Sequence, residues 1–253
     1  MRKTLIVIAA LLFAAPLFAQ TARRGTTMDS FASDFHTIPV MGNVSGVGGA
    51  RFQTRVSLLN PTANAFDIQA TLYDNNGTTQ NAVLHLAPGQ EKTFQNFLGD
   101  VFGYVGGGAV TLEAVGTPGG THNNRFIVDA ESYTTGTRYG TVIPVLEFPG
   151  SSSRSFAPGI TVDSNARTNI GCFNQSNATN TITATVHDST GATTVGTVTL
   201  TLPANAWGQT AVTSVVSDGS IQFDPTGNAV CYAVVVQNAT NDAHLTMASE
   251  YQP

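Results

Sequence analysis

Asp129 and Glu131 stand two residues apart in the run Arg125-Phe-Ile-Val-Asp-Ala-Glu-Ser-Tyr133. In a β-strand that spacing puts both carboxylates on one face, with Glu113 on the preceding β-type run. Glycosidases use two carboxylates set across a cleft, so these acids are the chain's candidate for hydrolytic chemistry. Nothing else supports an enzyme. The chain has no Gly-x-Ser-x-Gly, no His-Glu-x-x-His and no phosphate-cradling loop, since Gly46-Val-Gly-Gly49 has no lysine and no helix after it. The five histidines, His36, His85, His122, His187 and His244, are scattered and never paired at metal-ligand spacing.

Two further groups of residues could bind rather than react. Asp74 and Asp188, each followed by Asn or Ser and then Gly, have oxygens enough for Ca²⁺, but a tight hairpin turn needs the same residues and is the simpler reading. Trp207 is the single tryptophan, and Tyr104, Tyr139 and Phe102 fall in or near Gly-rich loops. If exposed together they would make a platform for stacking sugars; otherwise Trp207 is core. No cofactor or metal site is expected.

The elements that must position these residues come in two copies. The run from Val56 to Gly77 returns as Ile170 to Gly191, with Asn60 over Asn174, Asp74 over Asp188 and Gly77 over Gly191. An interval of more than a hundred residues is too long for a solenoid unit and reads as duplication of a whole domain. Within each copy, β-rich runs alternate: Phe66, Ile68, Ala70 and Leu72 share one face, as do Ile182, Ala184 and Val186. Asn96 to Gly103 reads as one helical turn, with Ser214 to Asp218 as its counterpart. The closing runs align as Ala109–Val115 with Ala229–Val236, and Arg125–Tyr133 with Leu245–Tyr251. On that alignment Met247 and Ser249 replace Asp129 and Glu131, which confines any hydrolytic site to the first copy.

His36-Thr-Ile-Pro-Val40 and Thr141-Val-Ile-Pro-Val145 read as the opening strands of the two copies. Proline cannot donate to a ladder, so Pro39 and Pro144 mark expected sheet edges and candidate assembly surfaces. The layout is all-β: two tandem Greek-key sandwiches of immunoglobulin-like type, about seven strands each. The boundaries fall at a signal peptide 1–19, an N-terminal arm 20–34, a first sandwich 35–137 and a second 138–253, the arm being either a flexible lead-in or a strand donor.

The Asn-bearing strand, Tyr73-Asp-Asn-Asn-Gly77 and Leu86-Ala-Pro-Gly-Gln90 together resemble the immunoglobulin-like modules of bacterial exported proteins. The second copy departs, with His187 for the tyrosine and Leu202-Pro-Ala-Asn205 for the Pro-Gly turn. The resemblance implies stalks, spacers, fibre subunits or enzyme appendages, and no particular ligand.

Composition bounds the rest. Met1-Arg-Lys, an apolar run from Leu5 to Phe18 and Ala19 make a cleavable secretory signal, too short to span a bilayer. Without Arg2 and Lys3, 9 basic residues face 16 acidic ones, with Lys92 the remaining lysine, which argues against nucleic acid and anionic membranes as partners. Charged residues are 11% of the chain, so Thr, Ser, Asn, Gln and Gly must build the surface. Cys172 and Cys231, 59 apart in an exported chain, are expected to form a disulfide worth ~3–4 kcal/mol. The matching first-copy positions are read as Leu58 and Thr111.

These readings converge on a non-enzymatic exported protein, secreted or at the cell surface, with a structural or adhesive role. Its partner would be itself, through edge strands, or an extracellular protein or glycan. The alternative is a carbohydrate-binding module built on loop aromatics.

Overall fold

The computed structural model describes residues 32–46, 49–115, 124–135, 140–147 and 150–250. The signal segment 1–19, most of the arm, Tyr139 and Tyr251 lie outside the described residues. Within them the chain is all-β, apart from one short helix.

The first sheet contains β1 (Phe35–Ser45), β2 (Arg51–Leu59), β3 (Phe66–Tyr73), β4 (Thr79–Leu86), β5 (Glu91–Phe94), β6 (Gly106–Val115), β7 (Ile127–Thr134) and β8 (Gly140–Val142). The hydrogen-bonded order is β4-β3-β6-β1-β2-β7-β8, with β5 also on β2. β1 makes this path continuous, since Phe35 to Asn43 pair with β6 and Asn43 to Ser45 with β2. The sheet folds at β1 into two layers over one core that includes Ile38, Leu58, Ile68, Leu112, Phe126 and Val128. Alternation in Phe66-Asp-Ile-Gln-Ala-Thr-Leu decides which side of β3 faces in: Phe66, Ile68, Ala70 and Leu72 are buried, and Asp67 and Gln69 are exposed.

The second half repeats the plan in two sheets. One has the order β13-β10-β15-β16, from β10 (Ala166–Asn174), β13 (Trp207–Ala211), β15 (Ala229–Gln237) and β16 (Ala243–Met247). The other is β12-β11-β14-β9-β17, from β9 (Ser155–Val162), β11 (Asn180–His187), β12 (Thr194–Leu202), β14 (Val216–Pro225) and β17 (Ser249–Glu250). Ile170, Cys172, Ile182, Val186, Ile221 and Phe223 are part of their shared core. Among the described residues the first half has eight strands and the second nine, the last of them, β17, only two residues long. The pairs β2–β5 and β3–β6 are those of an immunoglobulin layout, whereas β4 pairs with β3 and β7 with β2.

The helical turn forms in the first copy alone. Helix α1 (Phe97–Phe102) is capped by the Asn96 side chain, which accepts from the Gly99 N–H, and it ends at Gly103 in the left-handed region. Phe97 and Leu98 anchor it in the core. Ser214 and Val215 run without a helix into β14.

Three expectations are corrected. Pairing partners equate β6 with β14, and β7 with β15, so the closing runs were aligned one strand out of step. β14 carries Asp218, Gly219, Asp224 and Pro225 and two register shifts, which hide it from any β-propensity reading. In register, Val128 stands where Cys231 does, replacing Thr111, and Tyr232 and Val234 match Asp129 and Glu131.

Secondly, Pro39 is not at a free edge. β1 lies inside the sheet, and the ladder to β6 breaks between Ile38 and Met41, a bulge that accommodates the missing N–H. Thirdly, Pro144 follows β8, which closes the first sheet on β7 rather than opening the second half. Leu146 then bridges back to Thr37, so first-sheet bonding runs past residue 138.

Candidate functional site: the junction, its cleft and the free edges

The expected disulfide is present between Cys172 and Cys231, which are directly opposed on β10 and β15. The equivalent pair in the first half, Leu58 and Val128, is buried and apolar.

The candidate acids fall on two different strands, β6 and β7. Asp129 and Glu131 share the outward face of β7, between the inward Val128 and Ala130. The Glu131 carboxylate is bound by the Arg55 guanidinium across the β2–β7 pair. Glu113 is on β6, in the other layer of the sandwich, and also points away from the core. No group of three or more His, Cys, Asp or Glu at metal-holding distance occurs among the described residues.

Asp74 and Asp188 serve their turns. Asp74 Oδ1 accepts from the N–H groups of Asn76 and Thr78, both at 2.8 Å. Asp188 Oδ1 accepts from Thr190 N–H at 3.1 Å and Thr190 Oγ1 at 2.7 Å. The Thr190 hydroxyl bond comes first among the causes that hold the Asp188 carboxyl below its ordinary pKa. Gly77 and Gly191 close these turns at φ 76° and 71°, where a Cβ would be strained.

The aromatic residues are divided by the backbone. A Cβ added at Gly106 would strike the Tyr104 ring, and one at Gly107 would lie 2.5 Å from the Trp207 indole. Consecutive strand residues point to opposite faces, so these rings are on opposite sides of β6 and do not form one platform. Tyr104 packs against the first core. Its hydroxyl pKa is raised by burial first and by the Asp74 charge second.

Trp207 instead joins the two sandwiches. Its N–H donates to the Asp74 carbonyl at 3.0 Å, and its indole Nε1 donates to the Tyr232 hydroxyl at 3.0 Å. Tyr232 is fully buried, and desolvation drives its pKa upward. Beside it the Tyr73 and Phe173 rings meet across the junction, tilted at 45° with centroids 4.9 Å apart. Elsewhere on the junction the Thr141 hydroxyl donates to the Ala243 carbonyl, bringing β8 to β16.

Between these contacts the sandwiches leave a cleft of about 390 Å³. Val40, Val44, Phe52 and Ile143 line it from the first sandwich, and Trp207, Val234, Val236 and Leu245 from the second. Its polar lining includes Arg167, Asn169 and Gln209. A mostly apolar cavity with few polar groups at a junction is the usual form of a small-molecule site.

The other open feature is the pair of sheet edges at β4 and β12, where among the described residues Lys92 Nζ donates to the His85 carbonyl of β4 at 3.2 Å. β4 and β12 end their sheets, pairing with β3 and β11 alone. Neither has a Lys, Arg, Asp or Glu, and neither has a proline. Thr197, Thr199 and Thr201 are exposed on β12, and Val83 is 65% exposed on β4. No residue pattern marks these edges, because edge position depends on the whole strand order.

No family model matches the chain, and no curated protein matches it. Among solved structures, a calcium-binding mutant of a β-glucuronidase from Bacteroides uniformis aligns over 92% of this chain at 13% identity with a TM-score of 0.17. The chain spans 28% of that structure's length. A likeness at that level carries no argument about fold or activity. No helix among the described residues is long and apolar enough to cross a membrane.

Proposed function

We propose that the chain is a non-enzymatic exported protein of the cell surface or extracellular matrix. It acts as a structural or adhesive element of immunoglobulin-like modules and self-associates through its edge strands. The observation that carries this reading is the pair of long edge strands β4 and β12, which have no second strand partner and no Lys, Arg, Asp or Glu of their own; Lys92 Nζ meets β4 at the His85 carbonyl. Proteins that remain monomeric blunt such edges with lysine, proline or a covering segment, because open N–H and C=O groups template further strands. The two edges belong to equivalent strands of the duplicated sandwich. Joining β4 of one copy to β12 of the next is therefore a heterologous contact, which extends without closing unless the rotation forms a ring. The neutralised Glu131 and the divided acids agree with a non-catalytic role.

The test is light scattering behind a sizing column, with negative-stain microscopy, on the full chain and on Thr197→Lys/Thr199→Lys. Ordered oligomers or fibres are expected from the first and monomers from the second. A monodisperse parent at all concentrations removes self-assembly from the reading.

A further inference from the structure

The geometry points to the cleft between the sandwiches as a binding site for a small apolar carboxylic acid, its carboxylate held by Arg167 and its apolar body lying between Val44 and Phe52 on one side and Val234, Leu245 and Trp207 on the other.

The outward face of the β13-β10-β15-β16 sheet forms one wall. Register places Arg167 opposite Val236, Asn169 opposite Val234 and Gly171 opposite both Tyr232 and Gln209. Leu245 lies beyond Val234 on β16. One end of this wall is therefore basic, and the adjoining strip is aliphatic.

Arg167 is fixed in place by neutral groups. Its Nη1 donates to Asn238 Oδ1 at 2.9 Å and its Nη2 to Asn241 Oδ1 at 3.0 Å. Both acceptors sit on the β15–β16 turn, which the bonds Gln237 N–H to the Asp242 carbonyl and Asn241 N–H to the Gln237 carbonyl hold together. These contacts orient the guanidinium through neutral acceptors, and no carboxylate among the described residues comes within 4.0 Å of it, although Asp242 follows Asn241 on the same turn. Asp242 lines a smaller adjoining cavity of about 150 Å³ and is outside that distance. A half-buried guanidinium with a fixed fork and no anion is matched to a carboxylate.

The neighbouring amides favour the same ligand. Gln209 Oε1 already accepts from the Tyr232 hydroxyl at 3.1 Å, which leaves its Nε2 as the free end, a donor. The Asn169 side chain has no protein partner among the described residues. This end of the cleft is thus rich in donors, while Val40, Val44, Phe52 and Ile143 make the opposite wall mainly apolar, with Thr54, Ser132 and Thr141 as its polar members.

Trp207 is the single tryptophan of the chain and lines the cleft, so its emission reads occupancy directly. The full chain is titrated with decanoate and, separately, with decanol. A saturable emission change is expected from both, with decanoate about tenfold tighter, the ratio that one such charged contact supplies. Arg167→Met should bring the two probes to equal affinity, and Val234→Asp should weaken decanoate at least as much by placing a like charge on the apolar strip. No saturable change, equal affinities in the parent protein, or an unchanged preference in Arg167→Met overturns the proposal. The parent comparison decides the matter without any variant, should Arg167→Met fail to fold. The outcome is independent of self-assembly, which is read by scattering.

Discussion

Asn60 and Asn174, 114 residues apart in sequence, share a set of hydrogen bonds in the two sandwiches, to which Asn174 adds one from Asn180. Asn60 Nδ2 donates to the carbonyls of Asn64 and Ala87 at 2.8 and 3.0 Å, and Oδ1 accepts from the N–H and hydroxyl of Thr62. Asn174 donates to the carbonyls of Ala178 and Pro203 and accepts from the N–H and hydroxyl of Ser176. Both side chains are fully buried. Each ties the loop after its own strand to the turn between the fourth and fifth strands of its half, β4–β5 and β12–β13. The duplication has kept an internal bracket, which explains why an otherwise β-averse residue stands twice at a strand's end, just after β2 and as the last residue of β10.

Removing the bracket should be costly. Asn60→Ala leaves buried carbonyls and an N–H without partners, and each unsatisfied group costs about 1–3 kcal/mol. The expected loss is about 3 kcal/mol or more in urea unfolding, and Asn174→Ala should match it within the second sandwich. A change below about 1 kcal/mol at both positions would mean that water replaces the side chain without penalty.

The duplication, the paired asparagines, the Asp-x-x-Gly turns and the disulfide were legible in the sequence because each is encoded locally or by residue type. Alternation in Phe66 to Leu72 likewise identified the core side of β3. β14 was not legible, since its Asp, Gly and Pro residues tolerate a strand only where β9 and β11 hold it from both sides. Pro39 pointed to an edge because the alternative, a bulge within a central strand, depends on β6, which is remote in sequence. The cleft left no spacing signal at all. Its walls are drawn from Val40 through Leu245, and Arg167 looks in sequence like any outward residue of an alternating strand.

The disulfide should stabilise one half selectively. On the chain-entropy estimate, closing 59 residues contributes about 4 kcal/mol, and the bridge connects β10 and β15 within the second sandwich. Reduction is expected to lower the unfolding midpoint of that half, followed through Trp207 emission, while the half built on Leu58 and Val128 keeps its own. A single transition that shifts as a whole would show that the two halves unfold together.

His36 gives the first sandwich a pH dependence. It is buried, its Nε2 donates to the Phe126 carbonyl at 2.9 Å, and its Nδ1 has no hydrogen-bond partner among the described residues. Desolvation lowers its pKa below the ordinary 6.5, outweighing the opposing effects of the Phe126 carbonyl and the Glu147 charge. The unfolded chain therefore binds the proton more readily than the folded one. Stability is complete above the unfolded pKa and falls as pH drops from 6.5 toward the folded value. Thermal unfolding at neutral and mildly acidic pH should show the decline in the parent and a weaker one in His36→Phe. Equal slopes would place the proton elsewhere.

Gly107 controls the approach of the sandwiches. With no side chain it lets the Trp207 indole lie against β6, and a Cβ there would come within 2.5 and 2.6 Å of two ring carbons. Backbone and indole are both held, the latter by its bond to Tyr232, so the contact cannot relax by a rotamer change alone. Gly107→Val should push Trp207 off β6, break its N–H bond to the Asp74 carbonyl and expose the ring to water. Red-shifted emission and faster quenching by acrylamide are expected, with the separate cores intact by circular dichroism. The same variant should weaken decanoate, because the cleft needs both walls at their present separation. Unchanged emission would mean that the junction is held mainly by β8 against β16, and Thr141→Ala would then be the substitution that loosens it.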